Sequence, residues 1–249
     1  MNIAACQVED IRNDIPRALS IVASSVAGGE ADGADLICFP EAFLQGYDVT
    51  ADHVAEVAID LSSAGFARVL RSLSGFRPTI VLGLIEREGD RFFNTAIAIA
   101  RGRIVARYHK ARLLESEQLI FTPGSCATVF DVAGVSVGLN ICYDLNFPET
   151  VAASAERGAS VIVAPCNNML RRQNAELWKD RHSQIRCARA RESALWIISS
   201  DVTGERDGRI SYGPTAIIDP HGTVVEQVPL MMTGRVMVGL SPGSHMPSR

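Results

Sequence analysis

Gly33-Ala34-Asp35-Leu36-Ile37-Cys38-Phe39-Pro40 is echoed later in the chain by Gly158-Ala159-Ser160-Val161-Ile162-Val163-Ala164-Pro165. Each is a short apolar run bounded by glycine and proline, the pattern of a strand buried on both faces. Each also follows an amphipathic helix pattern. Before the first, Ile15, Ala18, Leu19, Val22 and Val26 recur at helical spacing, with Asp14 as candidate N-cap and Pro16 in the first turn. Gly28-Gly29 reads as the stop of that helix. Before the second, Glu149–Arg157 reads as a helix. The echo predicts two similar α/β halves, their sheets packed face to face with helices outside.

The rest of the chain keeps this alternation. Met1–Val8 opens as a strand, and a helix is expected over about residues 53–73. Thr79–Glu86, Phe92–Ala100 and Arg103–Arg107 read as strands, the last two joined by the turn Arg101-Gly102. Ala127–Val132 and Val135–Ile141 follow, the latter running into Cys142. A long helix near Ala175–Glu192 and a strand over Leu195–Asp201 complete the middle. Gly213–Ile218 and Thr223–Val228 form a hairpin about Asp219-Pro220-His221-Gly222. No linker-like or low-complexity segment divides the chain, so a single domain over residues 1–249 is expected.

With 249 residues and 47% apolar content, the chain is long enough to bury a large core. A net charge of −4 lacks the basic footprint of a nucleic-acid binder. No run approaches the roughly 18 apolar residues of a membrane span, and Met1–Cys6 lacks the form of a signal peptide. A cytoplasmic protein is therefore expected. Its cysteines, at 6, 38, 126, 142, 166 and 187, show neither a tight CxxC pair nor metal-ligand spacing. They read as reduced thiols, with no metal and no cofactor. Gly243-Ser244-His245-Met246 has the form of a vector-derived tail and is left out of the functional reading.

Three positions carry candidate chemistry. Cys142 stands where an apolar strand gives way to a helix begun by Phe147-Pro148-Glu149. Backbone N–H donors at such a turn can lower a thiol pKa and hold an oxyanion. Glu41, between Phe39 and Phe43, sits in apolar company that raises a carboxyl pKa toward the range useful for proton transfer. Lys110 closes Tyr108-His109-Lys110. Taken singly, each has an ordinary reading: a buried cysteine, a loop acid, a solvated lysine. Together they stand just past the C-terminal ends of strands, where α/β folds gather reactive groups.

Phe39-Pro40-Glu41, Tyr108-His109-Lys110 and Asn140-Ile141-Cys142-Tyr143-Asp144-Leu145-Asn146-Phe147-Pro148-Glu149 resemble, in order and spacing, the Glu, Lys and Cys motifs of the nitrilase superfamily of carbon–nitrogen hydrolases. The resemblance runs from Ile3 to about Gly239. It takes in Asn94-Thr95-Ala96, Phe121-Thr122-Pro123-Gly124 and Gly213-Pro214-Thr215 as well. It implies a four-layer α-β-β-α sandwich and assembly into homodimers or larger oligomers. It also implies Glu41 as proton-transfer base, Lys110 as oxyanion-stabilising cation and Cys142 as nucleophile. Glu117 matches a second family glutamate. Tyr47, Tyr143, Asn146, Cys166 and Asn167 are the remaining candidates for supporting the site or touching substrate, and Cys166-Asn167-Asn168 is expected to line the pocket.

Departures from the family bear on the substrate. Asn146 stands where many amidase-like members carry arginine, which removes a fixed cation for a substrate carboxylate. Cys-Tyr-Asp, rather than the Cys-Trp-Glu of nitrilases proper, favours an amide over a nitrile. Hydrolysis of a small amide or carbamoyl compound is thus the expected activity. Nitrile hydrolysis with the same residues, or a non-catalytic interaction role on the same fold, are the alternatives. Neither His109 nor His182 falls in a papain-like arrangement. The charged run from Lys179 through Arg186, Arg189 and Glu192 reads as a solvated or interface face of a helix.

Overall fold

A computed structural model describes residues 1–240, so the Gly243–Met246 stretch lies outside the described residues. The first half of the chain runs β1 (Asn2–Glu9), α1 (Ile15–Ala31), β2 (Leu36–Cys38), α2 (Ala51–Val57), α3 (Ala64–Ser72), β3 (Thr79–Glu88), β4 (Arg91–Ala100) and β5 (Arg103–His109). The second begins with β6 (Thr128–Val132) and β7 (Val135–Leu139), a 3-10 turn over Cys142–Asn146, α4 (Pro148–Glu156) and β8 (Val161–Pro165). It continues through β9 (Leu170–Arg171), α5 (Arg172–Trp178), α6 (Arg181–Ser193) and β10 (Trp196–Ser200). Then come β11 (Val202–Arg206), β12 (Arg209–Ser211), β13 (Ala216–Ile218), β14 (Val224–Gln227) and β15 (Gly234–Gly239).

The strands form two sheets. One has nine strands in the order β5-β4-β3-β2-β1-β11-β12-β9, with β15 also on β1; the other has six, β14-β13-β10-β8-β7-β6. Adjacent residues of one strand face different layers. Ile3 and Ala5 of β1, Val161 and Val163 of β8, and Ile198 of β10 join a core between the sheets. Ala4 and Cys6 face α1, through Ala18, Val22 and Val26, and α3, through Phe66. Ile162, Ala164 and Ile197 face α4 and α6, through Val151 and Ala190. Both faces of the central strands are covered, which is why they read as continuous apolar runs rather than alternating ones. The result is the expected four-layer α-β-β-α sandwich. The echoed segments become β2 and β8, each entered from a helix through a glycine at positive φ (Gly33 83°, Gly158 89°).

Several elements differ from expectation. α1 does not stop at Gly28-Gly29 but runs to Ala31. A Cβ on Gly29 would fall 2.5 Å from Ile37 Cδ1, so that glycine lets the helix press onto β2 rather than ending it. The helix expected over residues 53–73 is two, α2 and α3. Between them Ile59 bridges Glu86 of the sheet, and Ser63 caps α3 by accepting from Phe66 N. The helix near Ala175–Glu192 is likewise split at Lys179-Asp180 into α5 and α6. The short strands β9, β11, β12 and β15 were not anticipated. Among the described residues, no helix is long and apolar enough to cross a membrane.

Candidate active site

Glu41 follows β2 in a turn packed hard against β3. A Cβ on Gly83 would meet Pro40 O at 2.3 Å and Ala42 N at 2.5 Å, so only glycine there admits the turn. Lys110 follows β5, its N–H donating to Asn94 O of β4 (2.9 Å). Cys142 opens the 3-10 turn beyond β7 with φ 44°, in the left-handed region that non-glycine residues rarely occupy. Asp144 holds that turn. Its Oδ2 accepts from Ile141 N (2.8 Å) and Tyr108 OH (2.8 Å), and its Oδ1 from Arg112 N (2.7 Å) and Ala111 N (3.2 Å). One buried carboxylate thereby ties the Cys142 turn to the segment that carries Lys110.

Lys110 is the centre of a buried charge cluster. Only 1% exposed, its Nζ donates to Glu41 Oε1 at 2.7 Å and to Glu117 Oε1 at 2.8 Å. Asn94 Nδ2 donates to the same two oxygens, at 2.7 and 3.1 Å. Tyr47 OH donates to Glu117 Oε1 (2.9 Å), and Asn167 N to Glu41 Oε2 (3.0 Å). Burial alone would lower the lysine pKa, but the carboxylates of Glu41 and Glu117 and the Tyr47 hydroxyl raise it well above its ordinary value. Burial pushes Glu41 up, and Glu117 adds to the rise, while Lys110 opposes it. The Cys142 thiol is also held well above its ordinary value, by contact with the Cys166 thiol, by burial and by the nearby Glu41 charge. The surroundings thus favour the protonated form of both Lys110 and Cys142, with the Lys110 ammonium pulling the thiol the other way.

Glu41, Lys110 and Cys142 share the wall of a cavity of about 570 Å³, within the usual size of a small-molecule pocket. Tyr47, Tyr143, Asn146, Asn167 and Asn168 line it too. Glu117 is fully buried behind Lys110. Cys166 is a correction: it is fully buried, does not line the cavity, and turns its thiol to Ala164 O (3.4 Å). Within the charged run of α6, Arg186 is a second correction, whereas Asp180, Arg181, Arg191 and Glu192 are exposed as expected. Arg186 points inward, 3% exposed, donating to Ser199 Oγ (2.9 Å) and to Pro214 O, with Asp201 at 3.5 Å. His182 lines the cavity wall as a neutral imidazole, its pKa lowered to about 3 by burial and by Arg186. Neither His182 nor His109 is bonded to Cys142; His109 pairs with Glu86 (2.9 Å).

Some residues that build the candidate site carry little signal in the sequence. Asn94 stands out only as part of a motif, and Asp144 only as a mark of the amide branch. The sequence places Arg186 in a charged helical run but does not mark Asp201 as its partner, because the pair forms between two different elements. The β11–β12 hairpin has a readable signal: Asp207-Gly208, both at positive φ, is a preferred two-residue hairpin turn. Among the described residues, no group of three or more His, Cys, Asp or Glu is arranged to hold a metal ion.

The sequence model of the Carbon-nitrogen hydrolase family matches residues 2–242. An (R)-stereoselective amidase from Pseudomonas sp. is 31% identical over 226 residues, which is 90% of this chain and 80% of that one. A nitrilase from Pyrococcus abyssi (strain GE5 / Orsay) is 31% identical over 198 residues, 78% of this chain and 71% of its own. Among solved structures, a glutamate-to-glutamine mutant of the amidase from Nesterenkonia sp. AN1, with acrylamide added at its active-site cysteine, superposes with a TM-score of 0.86 at 25% identity. That match covers 97% of this chain and 93% of the other.

Proposed function

The chain belongs to the carbon–nitrogen hydrolase family and is an amidase-type enzyme; on that footing we propose that it cleaves a small non-peptide amide or carbamoyl compound through a thioester on Cys142. The observation that carries this reading is the buried Lys110 ammonium, held between the Glu41 and Glu117 carboxylates in the cavity onto which Cys142 opens. A buried cation with two carboxylate partners costs desolvation. It is useful where negative charge develops during a reaction.

In the proposed cycle, Glu41 takes the thiol proton as Sγ attacks the substrate carbonyl carbon, forming the C–S bond. The tetrahedral oxyanion is held by the Lys110 ammonium and the backbone N–H of Tyr143. Glu41 returns its proton to the leaving nitrogen, and the C–N bond breaks to release ammonia or an amine. Water, deprotonated by Glu41, attacks the thioester, and the thiolate leaves and recovers its proton. Glu117, with Tyr47 and Asn94, keeps Lys110 aimed at the oxygen. Assembly into a homo-oligomer is part of the same proposal.

The test is ammonia release across a panel of small amides, carbamoyl compounds and nitriles, with Cys142→Ala in parallel. Release from amides that vanishes in the variant supports the reading. Turnover surviving in Cys142→Ala would sink it, and acid formed only from nitriles would transfer it to that class.

A further inference from the structure

The roles given to Glu41, Lys110 and Cys142 leave unused a polar arrangement on the far side of the thiol. The loop after β8 touches both the proposed base and the proposed nucleophile. Cys166 O accepts from Glu41 N (3.1 Å), Asn167 N donates to Glu41 Oε2 (3.0 Å), and Asn168 Oδ1 faces Cys142 Sγ at 4.0 Å, in reach of an S–H donor. This loop is fixed from behind. Asp201, fully buried, accepts from Asn168 N (3.0 Å) and Val202 N (2.9 Å) with Oδ1 and from Asn168 Nδ2 with Oδ2; Thr215 Oγ1 accepts from Asp201 N (2.9 Å). Arg186 then covers Asp201 Oδ2 at 3.5 Å.

The chemistry of these partners decides which way the Asn168 amide points. A carboxylate only accepts, so the amide must turn Nδ2 to Asp201 and Oδ1 to the thiol. Burying Arg186 and Asp201 is costly, since two ions leave water and meet at only 3.5 Å. Part of that cost is offset because Asp201 accepts from Asn168 N and Val202 N while Arg186 donates to Ser199 Oγ and Pro214 O. The pair has a use if its task is to fix Asn168.

We propose that Cys166–Asn168, locked by the buried Asp201–Arg186 pair, is a positioning element that registers the base on the nucleophile, with Asn168 Oδ1 accepting the Cys142 S–H at rest, before that S–H turns to Glu41 for transfer. It rests on Cys142 being the nucleophile. The titratable groups interacting with that thiol are Cys166, which touches it, with Glu41, Lys110, Tyr47 and Arg186. Asn168 Oδ1 is the neutral carbonyl oxygen that faces Cys142 Sγ, at 4.0 Å. An acceptor on S–H favours the neutral thiol, so its loss lets the thiolate form at lower pH.

The experiment follows iodoacetamide alkylation of Cys142 against pH, read by peptide mass mapping, beside kcat and KM on the best amide. Asp201→Asn frees the Asn168 amide to turn Nδ2 to sulfur, and Asn168→Leu removes the acceptor while keeping both buried charges. Both are expected to move the alkylation profile to lower pH. Both should also reduce kcat about tenfold, the worth of one hydrogen bond near 1.4 kcal/mol, with KM little changed. An unmoved profile in either variant, once folded, overturns the proposal, since a merely structural role changes Tm and not the profile. If neither variant folds, the wild type decides. The S–H stretch in a Raman difference against Cys142→Ala is expected at the lowered frequency of a hydrogen-bonded thiol, and a free-thiol frequency overturns the proposal. Alkylation that bypasses Cys142, with turnover intact in Cys142→Ala, defeats the nucleophile assignment instead.

Discussion

Glu41 shows how one carboxyl can be tuned by where it is buried. It is only 1% exposed, and its oxygens are used by Lys110, Asn94 and the Asn167 amide. Burial and the neighbouring Glu117 raise its pKa against the pull of Lys110. A base must be ionised to accept a proton, so kcat/KM should fall with decreasing pH through a limb above the ordinary glutamate value of about 4.3. A pH–rate profile with its acid limb at or below that value would contradict the role. For stability the sign is opposite: Glu41 contributes most below about pH 4.3, and loses that contribution as pH rises through its higher folded value. Lys110 is tested differently. Lys110→Met leaves two buried carboxylates facing one another, so we expect loss of turnover together with destabilisation on the order of 3–5 kcal/mol, read by urea unfolding. A variant of unchanged stability would mean that the lysine is not the cation neutralising the cluster.

At the scale of the element, the site depends on how closely strands and turns approach. The Glu41 turn lies on β3 at Gly83, where an added Cβ would sit 2.3 Å from Pro40 O, 2.5 Å from Ala42 N and 2.8 Å from Glu41 Cα. These are backbone atoms, and they cannot turn aside as a side chain would. Gly83→Ala is therefore expected to displace Glu41 and lower kcat by about a hundredfold, the scale of an ångström-sized misplacement. It should also cost roughly 1–3 kcal/mol of stability through overpacking. Wild-type kcat in a folded Gly83→Ala protein would show that the turn tolerates movement. Gly29 makes the contrast. Its neighbour is Ile37 Cδ1, the far end of a side chain, so the same substitution there presses on something able to move.

Across the whole molecule, the two sheets meet over a shared apolar layer. Ile198 of β10, fully buried, belongs to that layer, whereas Ile197 beside it belongs to the layer under the helices. Ile198→Ala should cost about 2–5 kcal/mol, read as a lower urea midpoint. Because the layer is common to both sheets, loss of secondary and tertiary structure should stay coincident in far- and near-UV circular dichroism. Two separated transitions would show the sheets to be independent units. The same packing brings the ends of the echoed strands β2 and β8 together, which is how Glu41 N reaches Cys166 O and the loop beside Cys142.

Sequence alone determined the layering and marked Glu41, Lys110 and Cys142 as candidates, because both rest on local signals. Apolar runs between glycine and proline mark doubly buried strands, and Glu41, Lys110 and Cys142 each stand at a strand end in a recognisable motif. Only the tertiary structure decided what faces those residues. Asp144, Asn94, Asn168, Asp201 and Arg186 act through partners from distant segments, as with Asn94 on Glu41, 53 positions away. Arg186 in particular reads as part of a solvated or interface helix face, yet lies buried against Asp201 within its own chain. Period and composition report how a segment buries itself. They carry no record of which buried charge another segment will bring to meet it, because that pairing exists only once the two sheets have closed on each other.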